Sequence, residues 1–333
     1  MQSPKTCVIL VNYNGADDTA ACVRSLLQST VPVEIIVVDT TPHDPELEAS
    51  LSFAPGTIVL RAVENLGFGR ANNLGIQHAA NQSDCEFVFI LNNDTTVSGD
   101  SVETLERAMN AQSDVGIMVP RIAFLHDPGV LWYGGGEVDW RRASAFTPGM
   151  NGSTTAALAM KERDVTFATG CALFFRRNAL TQLVGFDPRF FMYEEDVELC
   201  LRASRRGIRI RYLPSSFILH RTQGSSKDSD HDRTNFFSAR NPGLPFLCYN
   251  VIRNRLLNVY QYARGKNLLL VMCFFPLFLI RRAGPFLRAG RLDAVFAMFR
   301  GIAGFWTARR PTPPSEWPLE IEKDAQTICS KIS

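Results

Sequence analysis

Glu194, Glu195 and Asp196 stand in a row at the end of a bulky apolar segment, Phe190 to Tyr193, where helical spacing begins in "EEDVELCLRASRRG". Carboxylates delivered this way suit taking a proton from a reacting hydroxyl. Negative charge in a first helical turn is also favourable in itself, by about 0.3–1 kcal/mol, and that simpler role fits Glu194 best. A second polar set lies earlier. Asn12, Tyr13 and Asn14 follow "TCVILV", Asp39 closes "VEIIVVD", Asn65 follows "TIVLRAVE", and Asn92, Asn93 and Asp94 close "EFVFIL". Any one strand-end Asn or Asp reads equally well as a cap on the next helix; four ends so furnished read as one site.

Those apolar runs are the strands that must position the polar ends. They alternate with "DDTAACVRSLLQS", which opens on an Asp cap, "GRANNLGIQHAAN" and "GDSVETLERAMNAQ", all of helical character, and "VGIMVPRI" is a fifth strand. Repeated β-α-β units with near-continuous apolar strands predict an α/β fold whose parallel sheet is covered on both faces. Ligands of such sheets bind beyond the carboxyl ends of the strands, where the polar residues fall. After Ile122 the pattern changes. "LWYGGGEVDWRR" predicts a loop or hairpin, Met150 to Arg163 a mobile stretch, "VTFATGCALFFRR" a strand and "NALTQLVGF" a short helix. The helix opened by the carboxylates ends at Gly207, and "IRIRYLP" and "SFILH" read as two strands ending near His220. Beyond Asn241 the chain reads as helical, and "PTPPSEWPLE" as an extended Pro-rich tail.

A chain of 333 residues with 46% apolar and 20% charged residues buries a substantial core, which excludes a disordered protein. The net charge of +2 is unevenly spread: Pro245 to Arg310 holds eleven Lys or Arg against the single acid Asp293. Such a stretch suits nucleic acid, anionic lipid or acidic sugars. Nucleic acid is disfavoured, because the cations interleave with an aliphatic run and not with a base-stacking module. That run, Leu268 to Ile280, has thirteen residues interrupted by Pro276 and flanked by Lys266, Arg281 and Arg282. A membrane span needs about 20 residues, so a buried core helix and an interfacial helix on anionic lipid are the two main readings. Eight dispersed cysteines without a C-x-x-C pair read as reduced core residues of a cytosolic protein. The N-terminal "MQSPKTCVILVNYNG" reads as no signal peptide.

Taken together, "VNYNG", "VVD", "ENLGFGRANNLG", "LNND", "TGCALFFRR", "GFDPRFFMYEEDVELCLRASRRG" and "LPSSFILHR" resemble glycosyltransferase family 2, in its bacterial rhamnosyltransferase-like branch that builds surface polysaccharides. The likeness runs from about residue 6 to 225 and continues more weakly through "VIRNRLLNVYQYARG". It implies the GT-A fold, a Rossmann-like, mostly parallel sheet flanked by helices, over residues 1–240. A nucleotide-binding half would end about residue 122 and an acceptor half would follow; residues 241–310 would be a membrane-associating helical extension and 311–333 a tail. It also implies a nucleotide-diphosphate sugar donor, dTDP-rhamnose first and UDP-hexoses next, and a Mg2+ or Mn2+ ion.

By the same resemblance Asp39 accepts hydrogen bonds from base or ribose and Tyr13 offers the base a flat surface. Asn12, Asn14, Asn65, Asn72, Asn92 and Asn93 surround the donor, Gly67 allows close backbone approach, and Gly170 lies where the chain passes the sugar. Asp94 matches the metal-contacting carboxylate of "NND", where Asn92 replaces the first Asp of many relatives and removes one ligand charge. His220 matches a residue that approaches the metal or the diphosphate. Asp196 matches the base that deprotonates the acceptor, with Glu195 supporting it, and one base opposite the leaving group implies inversion. Trp132 and Tyr193 are candidates for acceptor contact. Cys171 has no neighbouring His in sequence and is not read as a nucleophile. The acceptor would be lipid-linked or polymeric glycan at the inner face of the cell membrane, met by a peripheral cytoplasmic protein. Two other readings compete. A non-catalytic nucleotide-sugar binder is suggested by "NND" and by "VVDTTPHDP", which departs from the family's usual continuation. A nucleotidyltransferase would want a Gly-rich loop with a basic residue after the first strand, where "VNYNGADD" is acidic.

Overall fold

The computed structural model describes residues 3–41, 46–222, 237–310 and 328–332. In its first half β1 (Thr6–Asn12), β2 (Val33–Asp39), β3 (Ile58–Arg61) and β4 (Phe87–Asn92) alternate with α1 (Ala16–Leu27), α2 (Glu46–Ser50) and α3 (Gly67–Gln82). Then come β5 (Thr95–Val97), α4 (Ser101–Ala111), β6 (Val115–Phe124), β7 (Leu131–Tyr133), β8 (Glu137–Asp139), β9 (Ser144–Phe146) and β10 (Arg163–Asp164). β11 (Ala172–Arg176), α5 (Arg177–Leu183), α6 (Glu195–Arg205) and β12 (Arg209–His220) complete the sheet-bearing part. The chain continues in α7 (Leu244–Tyr262), α8 (Gly265–Arg288) and α9 (Leu292–Ala308), and β13 (Ile328–Lys331) is the last described element.

The main sheet runs β10-β12-β6-β11-β4-β1-β2-β3-β13. β4, β1, β2 and β3 are mutually parallel, as continuous apolar strands require when helices cover both faces. β11 is antiparallel to both β4 and β6, so the sheet is mostly and not wholly parallel. Register brings the polar ends level: Asn12 lies opposite Asp39 and Val11 opposite Asn92. Because β11 runs the other way, its start meets the end of β4, and the Asn92 amide donates to the Cys171 carbonyl at 2.8 Å. β12 reaches the same edge, where His220 pairs with Thr95. α3 packs close on β1 because Gly75 has no side chain; a Cβ there would stand 2.6 Å from Ile9 Cγ2.

Several sequence expectations need correction. The two strands before His220 are one strand, β12, with register shifts at Arg209/Ile210 and Leu213/Phe217. α1 is capped by Gly15, without a side-chain cap, and Asp17 and Asp18 sit inside its first turn. The stretch 150–163 is tied down by turns whose backbone bonds Asn151 and Gly152 to Leu131. α8 runs unbroken for 24 residues through Pro276 and Pro285; each proline removes one amide donor without ending the helix. Its only buried residues are Val271, Phe275 and Phe286, which removes the core-helix reading. By length and composition α8 could also cross a membrane. The Pro-rich "PTPPSEWPLE" lies outside the described residues, and β13 adds an unexpected antiparallel edge strand to β3.

Candidate active site

One polar network runs along the strand ends. Asn12 is fully buried and donates from Nδ2 to Asp39 Oδ1 at 2.9 Å. Its own oxygen receives the Gly15 amide at 3.2 Å and the Thr19 hydroxyl at 3.0 Å. Asn93 Nδ2 donates to the same Thr19 hydroxyl at 2.9 Å. Asp39 is 1% exposed and also receives the Thr41 amide at 3.1 Å and Arg61 Nη1 at 3.3 Å. Three of about four acceptor positions of the carboxylate are thereby filled, which leaves room for one further donor. Tyr13 and Asn14, by contrast, are exposed at the rim, Asn14 with a left-handed φ of 53° and its amide on Thr41 Oγ1.

The "NLGFG" turn is braced internally. Asn65 Oδ1 accepts the Gly67 amide at 2.9 Å. Asn72 is buried behind the turn, its Nδ2 donating to the Phe68 carbonyl at 2.9 Å while its Oδ1 has no partner. So Asn12 and Asn72 are buried, while Tyr13, Asn14, Asn65, Asn92 and Asn93 retain exposure. Gly67 has a φ of +71°, and a Cβ there would stand 2.1 Å from the Phe191 carbonyl oxygen. The turn therefore touches the segment that carries the three carboxylates, and the Phe68 amide donates to the same carbonyl at 2.9 Å.

Asp94 and His220 form a pair, Oδ1 to Nε2 at 3.0 Å, with both side chains 10% exposed or less. Burial opposes charge on the imidazole, but Cys171 and Asp94 beside it raise its pKa above the usual histidine value. The direction rests on Asp94, because burial raises the Cys171 pKa too and keeps that thiol neutral. Trp132 packs edge-on against the His220 ring with centroids 4.5 Å apart. His220 Nδ1 is buried without a partner. Sequence separation hid the Cys171–His220 contact, which joins the start of β11 to the end of β12.

One residue before Cys171, the Gly170 amide donates to Asp196 Oδ2 at 3.0 Å, and the Val197 amide donates to Asp196 Oδ1 at 2.9 Å. A Cβ on Gly170 would lie 3.1 Å from the Phe68 ring and 3.6 Å from Asp196 Cβ. The turn at 170–171 therefore holds Asp196 on one residue and adjoins the Asp94–His220 pair on the next. Asp196 keeps partial surface exposure, yet protein surrounds it closely enough that desolvation, with Glu194 nearby, raises its pKa to about 6. Glu195 is raised further, well above the usual carboxylate range, by burial and then by the charge of Asp196, and its Oε2 has no partner.

Glu194 behaves differently from the helix-end charge expected of it. It is 8% exposed and accepts from Arg255 Nε at 3.1 Å and Nη2 at 2.7 Å, both on Oε1. Tyr193 and Glu194 have left-handed φ of 68° and 67°, a conformation that costs a non-glycine residue about 1–3 kcal/mol. Tyr193 is half-buried against the α7–α9 core, and its ring meets exposed Phe246 with centroids 6.3 Å apart. Sequence reasoning missed the α7 side chains Arg253, Asn254, Arg255 and Asn258, all bonded to residues 189–194. Their signal was present as polar residues crowded into the apolar stretch "VIRNRLLN".

Residues 7–184 match the family model described as Glycosyl transferase family 2. The chain is 28% identical over 235 residues to N-acetylglucosaminyl-diphospho-decaprenol L-rhamnosyltransferase of Mycobacterium tuberculosis, covering 64% of this chain and 75% of that one. It is 27% identical over 211 residues to Rhamnosyltransferase WbbL of Escherichia coli, covering 61% and 72%. Among solved structures it is similar to GalNAc-T7 crystallised with UDP, GalNAc and Mn2+, with a TM-score of 0.55 at 16% identity over 77% of this chain and 47% of that one. The chain thus spans about half the length of that structure, and the likeness is one of fold.

Proposed function

The chain belongs to glycosyl transferase family 2 and has the GT-A fold, and from that premise we propose that it is an inverting, metal-dependent transferase. It moves a sugar, rhamnose from dTDP first and a hexose from UDP next, to a hydroxyl of a lipid-linked or polysaccharide acceptor at the inner membrane face. The two rhamnosyltransferase relatives favour rhamnose. The observation that carries the reading is the turn at 170–171, which holds Asp196 by the Gly170 amide and adjoins Asp94–His220 through Cys171.

In the reaction Asp196 accepts the proton of the acceptor hydroxyl as that oxygen forms its bond to the anomeric carbon. The sugar–phosphate bond breaks on the opposite face and its electron pair leaves with the nucleoside diphosphate. A pKa near 6 leaves Asp196 ionised at neutral pH and more basic than an ordinary aspartate, which is what a general base requires. Glu195, holding its proton more tightly, supplies a neutral neighbour that does not repel the ionised base. Tyr13 and Asp39 receive the nucleoside, and Trp132 and Tyr193 border the acceptor.

A divalent cation fits the residues present. Among the described residues no group of three or more His, Cys, Asp and Glu stands together, but Mg2+ or Mn2+ commonly takes one or two protein ligands and completes its shell with phosphate oxygens and water. Asp94 and His220 would hold it, His220 first giving up the ring proton that Asp94 now holds in place. The bound ion supplies neutralisation of the diphosphate as it leaves.

The test is a donor screen with purified protein and a lipid-linked acceptor, detecting released dTDP or UDP. Asp196→Asn is expected to lower turnover by about 10²–10⁴ with donor binding retained, and chelation by EDTA to abolish turnover until Mn2+ is restored. Wild-type rates in Asp196→Asn overturn the assignment of the base; donor binding without transfer to any acceptor overturns the enzyme.

A further inference from the structure

Residues 190–194 make an abrupt turn that sends two carboxylates only two positions apart to different parts of the protein. Glu194 goes to Arg255 on α7, and Asp196 goes to the Gly170 amide. Two consecutive non-glycine residues in left-handed conformation persist only where surrounding structure over-determines them. Here α7 supplies that structure. Asn254 Nδ2 donates to the carbonyls of Met192 at 3.0 Å and Tyr193 at 2.7 Å, and Asn258 Nδ2 donates to the Glu194 carbonyl at 3.1 Å. Asn254, Arg255 and Asn258 are at most 6% exposed. Polar groups in a helix interior are costly to bury unless they are bonded, and these are bonded to the loop beside Asp196.

Arg255 joins more than the loop. Its Nη2 also donates to Ser144 Oγ on β9 at 2.8 Å, and its guanidinium lies 4.7 Å from the centre of the Phe278 ring of α8. A planar fork makes these contacts at once in a way an ammonium cannot. We propose that Arg255 is a positioning residue for the transfer: through Glu194 it fixes the loop that carries Asp196, and so sets where the base meets the acceptor. The proposal rests on Asp196 being the base.

The groups facing Asp196 are Glu194 and Glu195 on its own segment, Cys200 one turn further along α6, and Cys171 from the turn before β11. Arg255, bonded to Glu194, is the cation supplied by α7. Arg255→Lys keeps the charge and loses the fork; Glu194→Gln keeps an acceptor oxygen and loses the charge. Both variants are to be purified, their folded fractions measured by thermal unfolding, and turnover followed with the donor found active for the wild type. The expected result is at least a tenfold fall in kcat for Arg255→Lys with the donor KM within twofold. For Glu194→Gln, removal of a negative neighbour moves the acid limb of the pH–rate profile to lower pH. Lower melting temperatures with unchanged kcat per folded molecule and an unmoved acid limb would reduce Arg255 to a structural brace and overturn the proposal. If Arg255→Lys does not fold, kcat per folded molecule of Glu194→Gln, which loosens the same grip of Arg255 on the loop, decides alone. Wild-type turnover in Asp196→Asn is a separate result, which removes the base and leaves the loop without a task.

Discussion

Asp196 is pulled in two directions. Amide bonds from Gly170 and Val197 favour its ionised form, while burial first and the charge of Glu194 second favour the neutral one, and the second pair prevails to give a pKa of about 6. The rate of transfer is therefore expected to fall as pH drops through about 6, read as the acid limb of kcat/KM. The effect on stability has the opposite sense. A carboxyl whose folded pKa is raised binds more protons folded than unfolded, so stability declines as pH rises from about 4 to about 6. Asp196→Asn removes that loss, so between about pH 4 and pH 7.5 the variant is expected to gain on the order of 1–2 kcal/mol relative to wild type in chemical denaturation, on top of a pH-independent cost for the amide bond its Nδ2 cannot accept. An acid limb near the ordinary aspartate value, with no gain in the variant, would contradict both. At this scale the position of Asp196 was legible, because acids following aromatics marked the first turn of α6. It was uninformative about Asn12, because a strand-end amide reads the same whether it faces a ligand or braces an aspartate 27 residues away.

The turn opening α3 and the segment 190–194 are two irregular pieces that meet over the sheet edge, and Gly67 is where they touch. Its φ of +71°, and the 2.1 Å that would separate an added Cβ from the Phe191 carbonyl oxygen, make alanine doubly unfavourable. Gly56 offers the comparison, with a φ of +92° and nothing within 4 Å. Gly56→Ala should cost about 1 kcal/mol for the backbone alone, and Gly67→Ala clearly more, about 2–4 kcal/mol, with turnover lost because the base-bearing segment must shift. Equal denaturation midpoints for the two variants would mean that the contact is soft. Strands were legible because continuous apolar runs have few other uses, and the level register of β1, β2 and β4 followed from their polar ends. α7 was not legible in its role. Helical patterning assigns polar residues to solvent, whereas Asn254, Arg255 and Asn258 turn inward to a loop about 60 residues earlier. α8 was cut short for a related reason: the apolar run ends at Ile280, but the helix that carries it does not.

Across the whole molecule charge and apolar surface are partitioned together. The stretch from 245 to 310 carries the excess of cations, and α8 and α9 expose Met272, Ile280, Phe296 and Phe299 by about two thirds each, with Trp306 beside them. Exposed apolar side chains on two packed helices are unusual for a surface that meets only water. Lys266, Arg281, Arg288 and Arg300 are exposed on the same helices. A second copy of the chain would bring like charges together, whereas a monolayer containing anionic lipid accepts both the cations and the apolar side chains. The arrangement also suits the reaction, because α8 contacts Arg255 through Phe278 and Arg255 holds the segment beside Asp196. A lipid-linked acceptor would then arrive from the surface on which the base is supported. The protein is expected to co-sediment with vesicles containing phosphatidylglycerol and to bind pure phosphatidylcholine vesicles much more weakly, with binding to the anionic vesicles falling as salt is raised. Replacing Met272, Ile280, Phe296 and Phe299 together by serine should abolish sedimentation while leaving turnover on a short, soluble acceptor intact. Retained binding in that variant would place the lipid contact elsewhere, and a concentration-dependent dimer that masks the face without lipid would identify the other occupant.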